Sequence, residues 1–249
     1  MGGSDVSWTD LADELARWRG AGRAPELWWR DDDAGGPNAA LERLLGLARS
    51  SGVPLALAVV PAQADPALMA SLGEGVWVIQ HGTDHVNRAA AGEKKTEFPA
   101  QEDKDEALAR LALGRKSLEE KAGHRFCPVL APPWNRLPED LVALLEPAYL
   151  GLSRYGARKA SGPPRQINTH VDIIDWLRGR SFGGEEAALQ LLVRHLAARR
   201  RGEADGAEPT GLLTHHACHD EAAGRFLERL FAFTRDAGAR WRSAAELFR

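Results

Sequence analysis

The sequence predicts an α/β protein in which parallel strands alternate with helices, closed into a barrel or laid out as a doubly wound sheet. Three observations predict it. Short apolar runs recur between segments of helical period. Several of these runs are continuous rather than alternating, as in strands buried on both faces. Three clusters of acids and histidines each follow such a run: Trp28-Trp29-Arg30-Asp31-Asp32-Asp33, His81-Gly82-Thr83-Asp84-His85 and Leu213-Thr214-His215-His216. The carboxyl ends of strands are where both architectures place their chemistry.

The elements follow in order. Trp8 to Arg19 carries Leu11, Leu15 and Trp18 at helical spacing, and Leu27 to Arg30 is a first strand. Asn38 starts a helix that Gly52 stops. Val53 to Val60 is a buried strand, Ala67 to Leu72 a short helix, and Val76 to Ile79 a third strand leading into His81. Asn87 to Gln101 is polar and is expected to form a long loop over the site. Asp103 to Lys121 is a helix with apolar Leu108, Leu111, Leu113 and Leu118. Phe126 to Leu130 is a fourth strand, ending in the turn Ala131-Pro132-Pro133-Trp134-Asn135. Pro138 opens a helix reaching Leu145, Tyr149 to Leu152 is a fifth strand, Arg154 to Arg165 a loop, and Ile167 to Asp172 a weak sixth strand. Glu185 to Arg201 is a helix whose closing arginines 199, 200 and 201 complement its macrodipole as solvated cations. Gly211 to Thr214 is a seventh strand, Ala222 to Asp236 a helix, and Arg240 to Ser243 a last short strand.

With 249 residues, 44% of them hydrophobic, the chain can bury one large core and is read as a single domain over 1–249, with 1–26 preceding the barrel. A net charge of −3 argues against a nucleic-acid partner. Two cysteines, Cys127 and Cys218, make no disulfide framework. No signal-peptide pattern and no run of roughly 20 apolar residues is present, which leads to the expectation of a cytoplasmic protein without a membrane partner. The oligomeric state is left open.

Carboxylates beside a His-x3-His pair are the inventory of a hydrolase built around one divalent metal, taken to be Zn²⁺. Strand alternation sends neighbouring acids opposite ways, so one binds metal while another acts as base. One of His215 and His216 faces the site as general acid, and the other is structural and bonded to backbone. His215 is favoured, because Gly211 on its face would leave room for substrate. Asp175 is expected to orient the active histidine, with Trp176 as an aromatic wall. Adjacent Cys218 and His219 are poorly placed to act as a nucleophile and base.

Taken together these residues resemble the polysaccharide deacetylases, carbohydrate esterase family four. The resemblance runs from about Leu27 to Phe248. It implies a deformed (β/α)7-type barrel and metal-dependent removal of acetyl groups. The family's Asp-Asp motif resembles Asp32 and Asp33, base and metal ligand in turn, with the register Asp31 and Asp32 left open. Its His-Ser/Thr-x-x-His motif resembles His81 to His85, both histidines being ligands, with Gly82 in the usual hydroxyl position. Its Arg-x-Pro-x-Gly motif resembles Ala131 to Asn135 without the arginine that pairs with the base, for which Arg136 or Arg30 is the candidate substitute. Asp172-Ile173-Ile174-Asp175-Trp176 resembles the fourth motif. The substrate is expected to be a saccharide or small molecule touching Trp134, Asn135, Arg136 and Trp176. Two rivals remain: a metal-free binding protein on the same fold, and a phosphoester hydrolase.

Overall fold

The computed structural model describes residues 6–158 and 162–249. Its sheet contains β1 (Glu26–Ala34), β2 (Leu55–Val59), β3 (Val76–His81), β4 (Phe126–Ala131), β5 (Gly151–Leu152), β6 (Arg165–Gln166), β7 (Val171–Asp172), β10 (Thr210–Thr214) and β11 (Arg240–Trp241). The order is β6-β5-β4-β3-β2-β1-β10-β7, with β11 beside β1, and each pairing is parallel. A separate antiparallel hairpin joins β8 (Ile174–Asp175) to β9 (Ser181–Phe182). Helices α1 (Trp8–Gly20), α2 (Ala39–Ser51), α3 (Pro66–Ser71), α4 (Lys104–Ala122), α5 (Glu139–Val142), α6 (Glu185–Arg201), α7 (Glu221–Asp236) and α8 (Ala244–Phe248) complete the fold.

The curled sheet is the expected deformed (β/α)7-type barrel, open between β6 and β7. The backbone joining those strands bridges the gap. Ile167 and Thr169 donate to the carbonyls of Leu152 and Arg154 at 3.1 and 2.9 Å, and His170 donates to Gly211 at 2.7 Å.

Alternation along β1 sets the core. Trp28 points into the barrel among Ala56, Ala58 and Ile79, where α8 places Phe248 edge-on to it at 6.1 Å. Trp29 points to the outer layer and meets Phe231 of α7 at 4.8 Å. Each fully buried indole contributes about 3–5 kcal/mol against truncation to alanine. Local signals fix the helix ends: the Asn38 side chain accepts from Leu41 N at the start of α2, and Asp103 accepts from Asp105 N and Glu106 N at the start of α4.

Several expectations need correction. The first strand runs on through its acids to Ala34, because β2 and β10 pair with it on both sides. The helix after Pro138 is only four residues long. Of the proposed sixth strand, Ile167 to Asp172, only Val171–Asp172 is strand, as β7 on β10, while β6 lies just before it at Arg165–Gln166 on β5. The fifth strand shrinks to Gly151–Leu152. Leu113 is exposed, because α4 buries the stripe Ala107, Leu111, Gly114, Leu118 and Ala122 instead. Arg199 is not a solvated cation. It is buried, donates to Glu26 O and Thr210 Oγ1, and burial pushes its guanidinium pKa down to about 10. The expected loop from Arg154 to Arg165 includes positions 159–161, which lie outside the described residues.

Candidate active site

The three clusters converge at the carboxyl ends of β1, β3 and β10. Along β1 the acids separate as the pleat dictates. Arg30 and Asp32 lie on one face and are both buried. Arg30 Nη2 donates to Asp32 Oδ2 at 2.9 Å, and Nε lies 2.8 Å from Oδ1 as an ion pair without good hydrogen-bond alignment. Its remaining donors are taken up by Ser153 O, Ser153 Oγ and Asn135 Oδ1 at 2.9, 2.8 and 2.7 Å. A fully buried guanidinium is tolerated only with such partners. Ala131 ends β4 where the resemblance implies an arginine, and Arg30 supplies that contact from β1. Arg136 does not: its Nη1 donates to Lys95 O at 2.6 Å.

Asp31 faces the other way. Its Oδ1 lies 2.6 Å from His216 Nδ1, and its Oδ2 accepts from Thr214 Oγ1 at 2.6 Å. Burial disfavours both charges, yet each partner outweighs it for the other, so the Asp31 pKa lies below the usual carboxylate range and that of His216 above the usual imidazole range. The His216 side chain is thus bonded to a carboxylate and not, as expected, to backbone.

Asp33 breaks the pleat. Its φ of 68° and the shifted pairing with β2 between Asp31 and Ala34 turn its carboxylate toward β3. There Oδ1 lies 3.1 Å from His81 Nε2 and 3.2 Å from His85 Nε2, and the three potential ligand atoms all lie within 4.8 Å of one another. Burial favours the neutral acid, but hydrogen bonds from both histidines hold the Asp33 carboxyl far below its ordinary value. For His81 burial opposes charge, and the carboxylates of Asp32 and Asp33 outweigh it and raise its pKa. His81 Nδ1 sits 2.9 Å from Ala131 O, which keeps a proton on Nδ1 and aims Nε2 at Asp33. Two imidazole nitrogens and a carboxylate turned on one point, with one ring fixed through its far nitrogen, fit a divalent ion.

The loop carrying His85 is held from outside. Buried Glu97 accepts from Thr83 N at 2.7 Å, from Asp84 N at 3.2 Å and from Thr83 Oγ1. Gly82 adopts a φ of 58°, and a Cβ there would meet the Glu97 carboxylate and come within 2.6 Å of Pro133 Cδ. That crowding explains why no hydroxyl residue stands at this position.

His215 Nε2 is 3.9 Å from Asp32 Oδ2, and the Trp176 ring packs edge-on against its imidazole at 4.6 Å. Asp175 does not orient it. The Asp175 carboxylate accepts from Leu177 N and Arg178 N within its own turn, while His215 Nδ1 has no hydrogen-bond partner among the described residues. Of the two acids in the motif from Asp172 to Trp176, Asp172 is the one whose carboxyl His215 influences. Burial raises the Asp172 pKa and His215 offsets part of the rise; Trp176 Nε1 donates to it at 2.7 Å. Gly211 does not make room for substrate either. A Cβ there would meet Trp28 Nε1 and Asn168 O at 2.5 Å and Thr169 Cα at 2.6 Å. On the opposite side the Trp134 ring lies 4.5 Å from that of His85, with Trp134 and Asn135 both at positive φ. Cys218 is only partly buried, and burial raises its thiol pKa, which disfavours a thiolate nucleophile.

Compared by sequence, the chain matches no protein-family model and no curated protein. Its structure is similar to several solved ones. A peptidoglycan N-acetylglucosamine deacetylase aligns over 90% of this chain and 87% of its own, at 17% identity and a TM-score of 0.59. A family 4 acetyl xylan esterase from Clostridium thermocellum, in complex with a cobalt ion, aligns over 89% of each chain at 14% identity and a TM-score of 0.52. A family 4 pseudoenzyme from Bacillus anthracis aligns over 91% of this chain and 66% of its own, at 16% identity and a TM-score of 0.60. The chain thus has the fold of the family 4 carbohydrate esterases.

Proposed function

We propose that this chain, on the fold of the family 4 carbohydrate esterases, is a metal-dependent deacetylase acting on an amino sugar or a related amide or ester. The observation that carries the reading is the meeting of Asp33, His81 and His85 beside an arginine-held Asp32 and a buried His215. A divalent ion on Asp33, His81 and His85, zinc being the one expected, would polarise the acyl carbonyl and make water a better nucleophile. Arg30 fixes both oxygens of Asp32, so that this carboxylate is oriented to take the proton of an attacking water. His215, across from Asp32, is placed to protonate the departing nitrogen or oxygen. The rings of Trp134 and Trp176 wall the two sides, where a sugar ring stacks and water is excluded.

A binding-only protein is the second reading, favoured by Ala131 and by the likeness to a pseudoenzyme. Arg30 weighs against it, since a relic has no need of a replacement for the lost contact. The deciding experiment purifies the protein without added ions, measures its metal content, and assays acetate release from acetylated amino sugars, with Asp32→Asn and a phosphate monoester in parallel. About one ion per chain, with acetate release that Asp32→Asn abolishes, is the expected result. A metal-free protein that releases no acetate even after zinc is added would sink the deacetylase reading, and phosphate release would redirect it to phosphoesters.

A further inference from the structure

The mouth of this site is edged by cations that form no ion pair among the described residues. On one side the tip between β8 and β9 carries Trp176, Leu177, Arg178 and Arg180; Leu177 is 96% exposed, so the tip stands clear of the body. Arg180 Cζ lies 5.4 Å from the centre of the Trp176 ring, the same ring that covers His215. On the other side Arg136 directly follows Trp134 and Asn135, the residues that contact His85 and Arg30. Its bond to Lys95 O brings Lys95 and its neighbour Lys94 to that edge.

Among the described residues, none of Lys94, Lys95, Arg136, Arg178 and Arg180 forms an ion pair with a carboxylate. Arginines elsewhere on the surface commonly do, as in Arg88 with Asp84, Arg201 with Glu203 and Arg225 with Glu221. Three acids nearby have other partners: Asp84 pairs with Arg88, Asp175 accepts from backbone amides of its turn, and Asp172 accepts from Trp176 Nε1 and Ile174 N. A chain of net charge −3 therefore presents a positive rim around one opening, a field that attracts anions and raises their local concentration. Two of the five are guanidiniums steadied by an aromatic face and by a carbonyl, the group best matched to the planar oxygens of carboxylate or phosphate.

We propose that the substrate of this site is an anionic N-acyl amino sugar, with a phosphate or carboxylate outside the reacting amide that Arg136 and Arg180 engage at the rim. The proposal rests on the deacetylase reading, and its test separates the two. Zinc-loaded full-length protein is assayed for acetate release from N-acetylglucosamine, a phosphorylated N-acetylglucosamine and N-acetylmuramic acid at rising ionic strength. Binding of the same three compounds is followed by calorimetry. At low salt an anionic sugar should exceed the neutral one in kcat/KM by about tenfold or more, and the advantage should shrink as salt is raised. The phosphorylated and carboxylated compounds show which anion is preferred. Arg136→Gln with Arg180→Gln should erase most of the preference, whereas Arg225→Gln on α7 should keep it. Equal or better use of the neutral sugar, or a preference indifferent to salt and to the two arginines, overturns the proposal. If no compound releases acetate but the anionic ones bind in a salt- and arginine-dependent way, anion recognition stands and the deacetylase reading falls.

Discussion

The two faces of β1 put the same side chain to opposite uses. Asp32, on the barrel face, is gripped by Arg30 beside Asp33, His81 and His85 and lies 3.9 Å from His215. Asp31, one residue earlier, is sealed against His216 and Thr214. Asp33 escapes both faces by leaving the strand conformation at a φ of 68°. Three consecutive acids therefore differ in role because the pleat separates the first two and a left-handed residue releases the third.

Substitutions sharpen that contrast. The largest effect is expected at the third acid and its partners: His81→Ala or Asp33→Asn should weaken metal binding by more than the ~10–100-fold typical of residues that merely support a ligand. Metal content after dialysis against a mild chelator checks this, and full retention in both variants would remove the site. Next, Asp32→Asn should keep the metal and lower turnover by ~10²-fold or more, the usual worth of a positioned proton transfer. Asp31→Asn should do the reverse, sparing turnover while costing about 3–5 kcal/mol, because it strips a buried histidine of its partner. Urea unfolding beside steady-state kinetics separates the two; a swap of outcomes would move the base to Asp31.

Smaller effects lie farther from the chemistry. Gly211→Ala should cost about 1–3 kcal/mol by overpacking against the backbone of Asn168 and Thr169. A stability equal to the parent's, measured in the same urea series, would restore the idea that Gly211 faces open space. A last effect shows only at low pH and involves His195, whose ring stacks on His170 at 3.7 Å. Burial pushes the His195 pKa down to about 3. Between there and the ordinary value near 6.5 the unfolded chain binds a proton that the folded one refuses, so stability falls as pH drops through that window. Unfolding free energies at a series of pH values should show a shallower fall in His195→Gln.

Much of this arrangement is legible in the sequence because it rests on local pattern. The apolar runs of β2, β3 and β10 announce strands, α6 has the bounds its periodicity suggests, and the residues that converge on one point include the His-x3-His pair and an acid of the first cluster. The Arg30–Asp32 pair was also within reach: two residues apart in a strand share a face, and that rule alone favours Arg30 over Arg136. What the sequence hides is held by distant backbone. The two-residue strands between Arg165 and Phe182 are too short to carry a period: β6 and β7 exist because β5 and β10 offer them edges, and β8 and β9 because they pair with each other. The use of Asp172 rather than Asp175 beside His215 depends on how that stretch turns, which spacing does not encode. Gly211 misled because a missing side chain looks alike from sequence whether substrate or a tryptophan fills the space.

Glu97 carries a consequence for how such a protein can diversify. It pins the backbone of Thr83 and Asp84 from fourteen residues downstream, so the stretch between them begins and ends on the same fixed point. Past His85, length and composition there can drift, by insertion, deletion or recombination, while Glu97 keeps its hold on Thr83 and Asp84. The edge of the rim that carries Lys94 and Lys95 can thereby change, and with it what a lineage recognises, while the centre that would act on a substrate stays put.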